Sequence, residues 1–308
     1  MPNGRVVIAG GTGFLGRAVA ADLITEGYQV LILTRSPRDR EGAIREVKWD
    51  GRSVEDWGAL VDGARAVINL TGKSVNCRYT PANRREIIES RVDSVVALGE
   101  AIRAANQKPS VWIQSGSLAI YGDAGDRVCD EAAPIARGFS AETCVAWEKA
   151  FANAEAGHTR KVLFRIGFVI GRGGGALGTL AVLARRFLGG TVGTGRQFIS
   201  WLHIADMNRM FRYAIEREGV SGTFNATGPN PVTNREFMRE LRKALHRPWS
   251  PPAPALMVRF GARLMATEPE LALTGRRCVP ARLIEMGFEF QHPNLSEALA
   301  DILAEDGR

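Results

Sequence analysis

The feature that most constrains this chain lies at its start. The apolar run Arg5-Val6-Val7-Ile8-Ala9 ends in Gly10-Gly11-Thr12-Gly13-Phe14-Leu15-Gly16, and residues 13–26 then carry Phe14, Leu15, Ala18, Val19 and Leu23 at helical spacing. A strand apolar on both faces predicts burial in a parallel sheet. The glycines between strand and helix each have a physical use. Gly10 allows a tight turn, Gly13 lets a pyrophosphate approach the backbone at the helix N-terminus, and Gly16 permits close packing of helix on strand. Free amides and the helix dipole favour an anion there. Gly10, Thr12, Gly13, Phe14, Leu15 and Gly16 are therefore the first cofactor-binding candidates.

The alternation continues. Residues 30–34, 45–49, 66–70, 111–115 and 161–167 read as further strands, and residues 81–106 and 141–156 as helices. This order predicts an α/β fold with a doubly wound parallel sheet of the Rossmann type. The second half predicts a glycine-rich loop at 171–175, a strand at 196–202, a helix at 203–218, a strand at 222–226 and a helix at 233–245. Thr233-Asn234-Arg235-Glu236 spells a capping box. A proline-rich stretch at 248–254 sets off a mostly helical tail. The expected organisation is a nucleotide-binding domain over 1–170, with parts of 200–230 returning to it. A substrate-side region over 171–250 and a small C-terminal domain over 251–308 complete it. The tail is expected to pack on the substrate-side region and not on the edge of the nucleotide-binding sheet.

Composition narrows the function classes. Apolar residues make up 45% and charged residues 24% of 308, an ordinary globular mixture. No apolar run reaches the roughly 18 residues of a membrane helix, and the opening residues lack a signal-peptide pattern, which predicts a cytoplasmic protein without a membrane partner. The net charge of +7 is scattered in short pairs such as Arg84-Arg85 and Arg185-Arg186, so no nucleic-acid footprint is expected. Cys77, Cys129, Cys144 and Cys278 form neither a C-x-x-C pair nor a metal spacing with the four histidines. Free thiols and no metal are expected.

The end of the second strand bears on the cofactor. An acid there binds the ribose hydroxyls of NAD, whereas arginine accommodates the 2′-phosphate of NADP. This chain reads Thr34-Arg35-Ser36-Pro37-Arg38, with no acid before Asp39. Arg35 and Ser36 are the phosphate candidates, and NADP(H) is expected over NAD(H).

These motifs, with Asn69-Leu70-Thr71-Gly72, Ser115-Gly116-Ser117-Leu118-Ala119-Ile120-Tyr121-Gly122, Arg165-Ile166-Gly167-Phe168-Val169-Ile170-Gly171 and Trp201-Leu202-His203-Ile204-Ala205-Asp206, resemble the extended short-chain dehydrogenase/reductase superfamily of NAD(P)-dependent epimerases and dehydratases. Residues 76–80, Ser90-Arg91 and the tail 275–290 are similar to an epimerase-like subgroup labelled cell-division-inhibitor-like, with a small C-terminal domain of unknown function. The resemblance implies that Leu70, Thr71, Gly72 and Ser115 belong to the cofactor site and that Ser117 is the catalytic serine.

The superfamily's acid/base is a tyrosine with a lysine four residues later. The helix here reads Ala141-Glu142-Thr143-Cys144-Val145-Ala146-Trp147-Glu148-Lys149, with Cys144 and Glu148 at that spacing. A glutamate beside a thiol raises the thiol pKa, so a Cys144 thiolate would need a cation such as Arg78 or Lys73. Glu148 as a buried general acid, or a proton from Tyr121 or Tyr79, are the alternatives. Asn76, Arg78, Tyr79, Arg196 and Trp201 are weaker substrate candidates, at the mouth or on the later substrate-bearing segment. Two functions follow: an NADP(H)-dependent oxidoreductase or epimerase acting on a small polar substrate, as monomer or homodimer, or a non-catalytic NADP(H)-binding redox sensor.

Overall fold

The computed structural model describes residues 3–38, 44–247, 249–264 and 266–304. The first half runs β1 (Arg5–Ala9), α1 (Phe14–Thr25), β2 (Gln29–Thr34), β3 (Ile44–Lys48), β4 (Ala66–Asn69), α2 (Pro81–Ala104), β5 (Val111–Ser117), β6 (Val128–Cys129), α3 (Phe139–Asn153) and β7 (Arg160–Ile166). Then come β8 (Phe168–Ile170), α4 (Gly175–Arg185), β9 (Phe198–Ile199), β10 (Trp201–His203), α5 (Ile204–Glu216), β11 (Gly222–Ala226), β12 (Val232–Thr233) and α6 (Asn234–Ala244). The tail holds α7 (Ala255–Leu264), α8 (Glu270–Leu273), β13 (Arg277–Cys278), α9 (Ala281–Glu285) and α10 (Leu295–Leu303).

Seven strands form one parallel sheet in the order β11-β7-β5-β4-β1-β2-β3. The order reverses between β1 and β4, where a doubly wound sheet opens its ligand crevice. Strand alternation sends Ile8, Ile32 and Ile68 to one face, against Val19 and Leu23 of α1 and Met207 and Phe211 of α5. Val7, Leu31, Val67 and Trp112 point to the other, against Val95 and Leu98 of α2 and Trp147 and Phe151 of α3. The sheet is thus buried on both faces, as its apolar runs require. Thr80 caps α2 with Pro81 in its first turn, and Thr233 and Glu236 close the capping box of α6.

Two expectations are corrected. The single strand over 196–202 is two strands in different ladders: β9 pairs antiparallel with β12, and β10 pairs parallel with β8. Ser200, between them, accepts from the Cys278 amide and donates to the Arg276 carbonyl, at 2.8 and 2.7 Å. The tail also divides its packing. α10 lies on α6 through Leu295, Leu299 and Ile302. Leu283 and Phe288, however, join the main core, α9 covers β11, and the Arg282 guanidinium donates to the Ser221 and Thr223 carbonyls. The sheet edge that the tail was expected to avoid is what it covers. β11 is an edge strand, and an edge needs a lid over its backbone and apolar face. Proline 248 and Asp39 lie outside the described residues.

Candidate functional site

A cleft of about 470 Å³ opens at the carboxyl ends of β1, β2 and β4. Gly10, Thr12, Gly13, Arg35, Leu70, Thr71 and Gly72 line it, bringing together residues far apart in the chain. The glycines of the turn separate by role. Gly10 has φ +76° and a Cβ there would lie 2.9 Å from the Leu70 carbonyl. At Gly16 a Cβ would lie 2.5 Å from Gly11 Cα, so this glycine serves the packing of α1 on β1. At Gly13 it would meet only the Gly10 carbonyl, at 3.4 Å. The space above Gly13 is kept open by the fold and not filled by it, at the N-terminus of α1 where an anion is favoured.

Phe14, Leu15, Gly16, Ser36 and Ser115 do not line the cleft. Phe14 turns away and packs under the glycine-rich loop, where a Cβ at Gly174 would lie 2.6 Å from its ring and one at Gly175 2.9 Å. That loop is glycine-rich because it must lie flat on Phe14. Ser36 follows Arg35, its amide 3.5 Å from Thr34 Oγ1.

The wall at 69–73 is held rigidly. Asn69, fully buried, donates to Ser94 Oγ and Gln114 Oε1 and accepts from the Thr71 amide at 3.0 Å. Arg91 lies over the Trp147 ring and donates to the Lys73 and Ile87 carbonyls. The Thr71 hydroxyl is nevertheless buried with no hydrogen-bond partner among the described residues. A hydroxyl left single at the edge of the cleft is available to a ligand. Every acid in the cleft is taken: Asp50 accepts from the Arg52 and Ser53 amides and the Ser53 hydroxyl, which hold its carboxyl below the usual range, and Glu86 pairs with Lys73. Arg35 is exposed beside them without an acidic partner among the described residues. The open anion subsite, the free hydroxyl and the free arginine fit a dinucleotide.

A second pocket of about 210 Å³ opens at the ends of β5 and β7, beside the first. Ser117 lines it, as do Ser200 and the tail segment from Leu271 to Arg276. The five weaker substrate candidates do not. Trp201 is fully buried and its indole N–H donates to the Asn230 carbonyl at 2.8 Å, which makes it a core residue. Arg196 is exposed, 3.8 Å from Asp126. Asn76 accepts from the Thr267 hydroxyl, the Tyr79 amide donates to Glu268, and Arg78 points to solvent. The loop at 74–80 thus holds the tail down as a roof. Sequence reasoning missed Ser200, Thr274 and Arg276, since nothing local marks residues so far along the chain from Ser117 as its neighbours.

The helix bearing Cys144 and Glu148 differs from expectation. A crossover helix runs antiparallel to its strands, so Glu148 lies one turn further from the mouth than Cys144. Both Glu148 oxygens accept from Arg165 on β7, each at 2.8 Å. Burial pulls the Arg165 pKa down, but hydrogen bonding and charge from Glu148 outweigh it and hold the guanidinium above its ordinary value. Arg165 also donates to the Tyr121 hydroxyl, which donates on to Asn225 at 2.8 Å. Tyr121 is fully buried, and burial pushes its hydroxyl up to about 12 despite Arg165. Glu148 and Tyr121 are therefore partners in one hydrogen-bonded network, and neither lines the pocket that holds Ser117. Cys144 packs with Leu118, Ile120 and Cys278, and burial, then Glu148, pushes its thiol up to about 11. The nearby cations are Arg91, Arg276 and Arg165 and not Arg78 or Lys73, and they do not offset the burial. Of the four catalytic candidates only Ser117 lines the pocket at the ends of β5 and β7, its Oγ accepting from the Ala119 amide, whereas Glu148 lines a separate cavity of about 420 Å³ with Ile120, Lys149 and Lys161.

No helix among the described residues is long and apolar enough to cross a membrane. The model of the NAD dependent epimerase/dehydratase family matches residues 6–227, and a domain of unknown function, DUF1731, matches 253–302. The epimerase family protein YfhF of Bacillus subtilis is 33% identical over 98% of both chains. The epimerase family protein SDR39U1 of Homo sapiens is 32% identical over 97% of this chain and all of its own. A crystal structure of human SDR39U1 (isoform 2) with NADPH superposes with a TM-score of 0.88 at 30% identity, over 98% of this chain and 99% of that one. MoeE5 in complex with UDP-glucuronic acid and NAD shares the fold, with a TM-score of 0.76 at 20% identity over 98% of both chains. On the family match, the relatives and the Rossmann-like sheet together, this chain belongs to the NAD-dependent epimerase/dehydratase family.

Proposed function

We propose that the chain is an NADP(H)-dependent oxidoreductase or epimerase of the extended short-chain dehydrogenase type, acting on a small polar substrate. The observation that carries this reading is the pair of adjacent crevices along the carboxyl edge of the sheet, one fitted to a dinucleotide and the other lined by Ser117. The turn Gly10–Gly13 and the start of α1 would hold the pyrophosphate, Thr71 a hydroxyl of the cofactor, and Arg35 and Ser36 the 2′-phosphate. NADP(H), when bound, supplies or accepts a hydride. Ser117 hydrogen-bonds the reacting oxygen of the substrate. Arg35 without an acid beside it supports NADP(H) over NAD(H), since a 2′-phosphate brings the negative charge that a free guanidinium lacks. The relative crystallised with NADPH supports the same preference.

A second reading, an NADP(H)-binding regulator that turns nothing over, draws on one observation: Cys144, Glu148 and Tyr121 are all occupied within the fold. Calorimetry with NADPH and NADH tests the cofactor, and NADPH oxidation over a panel of small carbonyl compounds separates the two readings. Tighter binding of NADPH with Ser117-dependent turnover supports the enzyme. Equal affinity for the two cofactors removes the role given to Arg35, and tight NADPH binding with no turnover on any compound favours the regulator.

A further inference from the structure

The second pocket has a composition that names a substrate class. Its walls mix polar and apolar surface in nearly equal parts, the apolar side chains including Leu118, Ile166, Phe168 and Phe198. Its polar side chains are four, and two of them are spent. The Ser200 hydroxyl sits between the Cys278 amide and the Arg276 carbonyl, and the Thr274 hydroxyl donates to the Glu270 carbonyl. Two donors remain: the Ser117 hydroxyl and the Arg276 guanidinium. The Arg276 side chain has no hydrogen bond or ion pair among the described residues, and its Nε is buried without a partner. No carboxylate lines the pocket. The neighbouring Arg277 behaves differently, being exposed with its guanidinium over the Phe198 ring at 5.2 Å.

The Arg276 backbone is also fixed in place. Its amide donates to the Phe198 carbonyl at 3.1 Å and its carbonyl accepts from Ser200. Gly275 before it donates to Asp123 and accepts from the Ala124 amide, and lies so close to Phe198 that a Cβ would meet the Phe198 carbonyl at 2.4 Å. The backbone that carries the guanidinium is thus held in place, and the side chain is left available to an anion. Its Nε, buried without a partner among the described residues, is a cost that a bound anion relieves.

We infer that the second pocket takes a small carboxylate bearing one further oxygen, a hydroxy or oxo acid, with the carboxylate on Arg276 and the second oxygen on Ser117. One cation matches one negative charge, and a single hydroxyl matches a single oxygen. The volume of about 210 Å³ lies below the roughly 300 Å³ of pockets for drug-sized ligands, which favours a small acid over a nucleoside-diphosphate sugar. The inference rests on the proposed cofactor reading, and the test separates the two.

The experiment titrates the full-length protein, first with NADPH and then, NADPH-loaded, with oxamate and with UDP-glucose. Oxamate is expected to bind saturably and UDP-glucose not to bind. Arg276→Gln is expected to weaken oxamate about tenfold or more, the loss of a hydrogen bond to a charged group, with Arg276→Lys recovering part of the loss and an unchanged melting temperature in both. NADPH binding without oxamate binding overturns this inference alone. So does oxamate affinity indifferent to Arg276→Gln, or binding of UDP-glucose. Failure to bind NADPH takes the cofactor reading down with it.

Discussion

Two regions at the same edge of one sheet treat their polar groups in opposite ways. Around β1, β2 and β4 the fold leaves groups single among the described residues: the Thr71 hydroxyl has no partner, Arg35 has no acid, and no side chain fills the space above Gly13. Around Glu148 of α3 and Arg165 of β7 the fold closes a chain of hydrogen bonds. Glu148 meets Arg165, Arg165 meets Tyr121, and Tyr121 meets Asn225. Asn225 reaches on to the Cys129 and Val279 carbonyls, and Glu131 accepts its amide. The contrast teaches that a charged or ionisable residue at a motif position is no guide to function until its partners are known. Groups awaiting a ligand are unsatisfied; groups that weld the fold are not. The Glu148 network ties α3, β6, β7, β11 and the tail together, which is a structural task.

The sharpest way to break this comparison is Glu148→Gln. Removing one partner of a buried ion pair leaves the other uncompensated, and the expected cost is about 3 kcal/mol of stability or more. Denaturant unfolding measures it, and NADPH affinity of the folded protein is expected to hold. A stable Glu148→Gln protein that binds NADPH normally and has lost turnover would reinstate Glu148 as the acid.

Arg35→Ala probes the opposite region. It is expected to leave stability unchanged and to remove most of the NADPH-over-NADH preference, about 1–3 kcal/mol for a charge-assisted contact. Calorimetry with both cofactors reads the difference directly.

Gly13→Ala and Gly16→Ala sharpen the distinction within one turn. The added methyl at Gly16 strikes backbone at 2.5 Å, so that variant is expected to fold poorly. The one at Gly13 meets an ordinary contact at 3.4 Å, so the fold is expected to tolerate it while NADPH affinity drops about tenfold, roughly 1.4 kcal/mol. Equal NADPH affinity in Gly13→Ala would mean that no ligand approaches the backbone there.

The smallest effect concerns His203, which joins α5 to the tail. Its ring lies 3.8 Å from that of His292 and its Nε2 3.3 Å from Asp301 Oδ2. Burial first, then His292, pushes it down to about 4 from 6.5, although Asp301 and Asp206 pull the other way. Between those values the unfolded chain binds a proton that the folded one refuses, so this contribution is complete above pH 6.5 and is lost as pH falls toward 4. A melting temperature that falls over this window in the parent, and falls less in His203→Asn, is the expected result. Identical slopes in the two proteins would remove His203 from the account.

Much of the fold was legible. The strands of the first half, the long helix after Pro81 and the capping box at Thr233 follow from periodicity and end signals, which are local properties. The cleft proposed for the cofactor was legible for the same reason, since the turn at its floor is one continuous segment. The substrate-side pocket was not. Trp201 looked like a contact because it sits on the expected segment, yet its alternation on β10 sends it into the core. Ser200, beside it, is the residue that meets the pocket and catches the tail.

What the amino-acid sequence by itself determined is the part written in short-range terms: a buried strand, a glycine turn and a helix in succession, no acid at 34–38, and no tyrosine–lysine pair after Ser117. Each depends on backbone conformation or residue type within a few positions. The tertiary structure alone decided which of the ionisable residues are free. Glu148 is silenced by Arg165 on the next strand of the sheet, and Arg276 is carried to Ser117 by a tail that returns across the sheet edge. Such pairings depend on how packed elements bring distant positions together, and side-chain spacing along the chain holds no record of that.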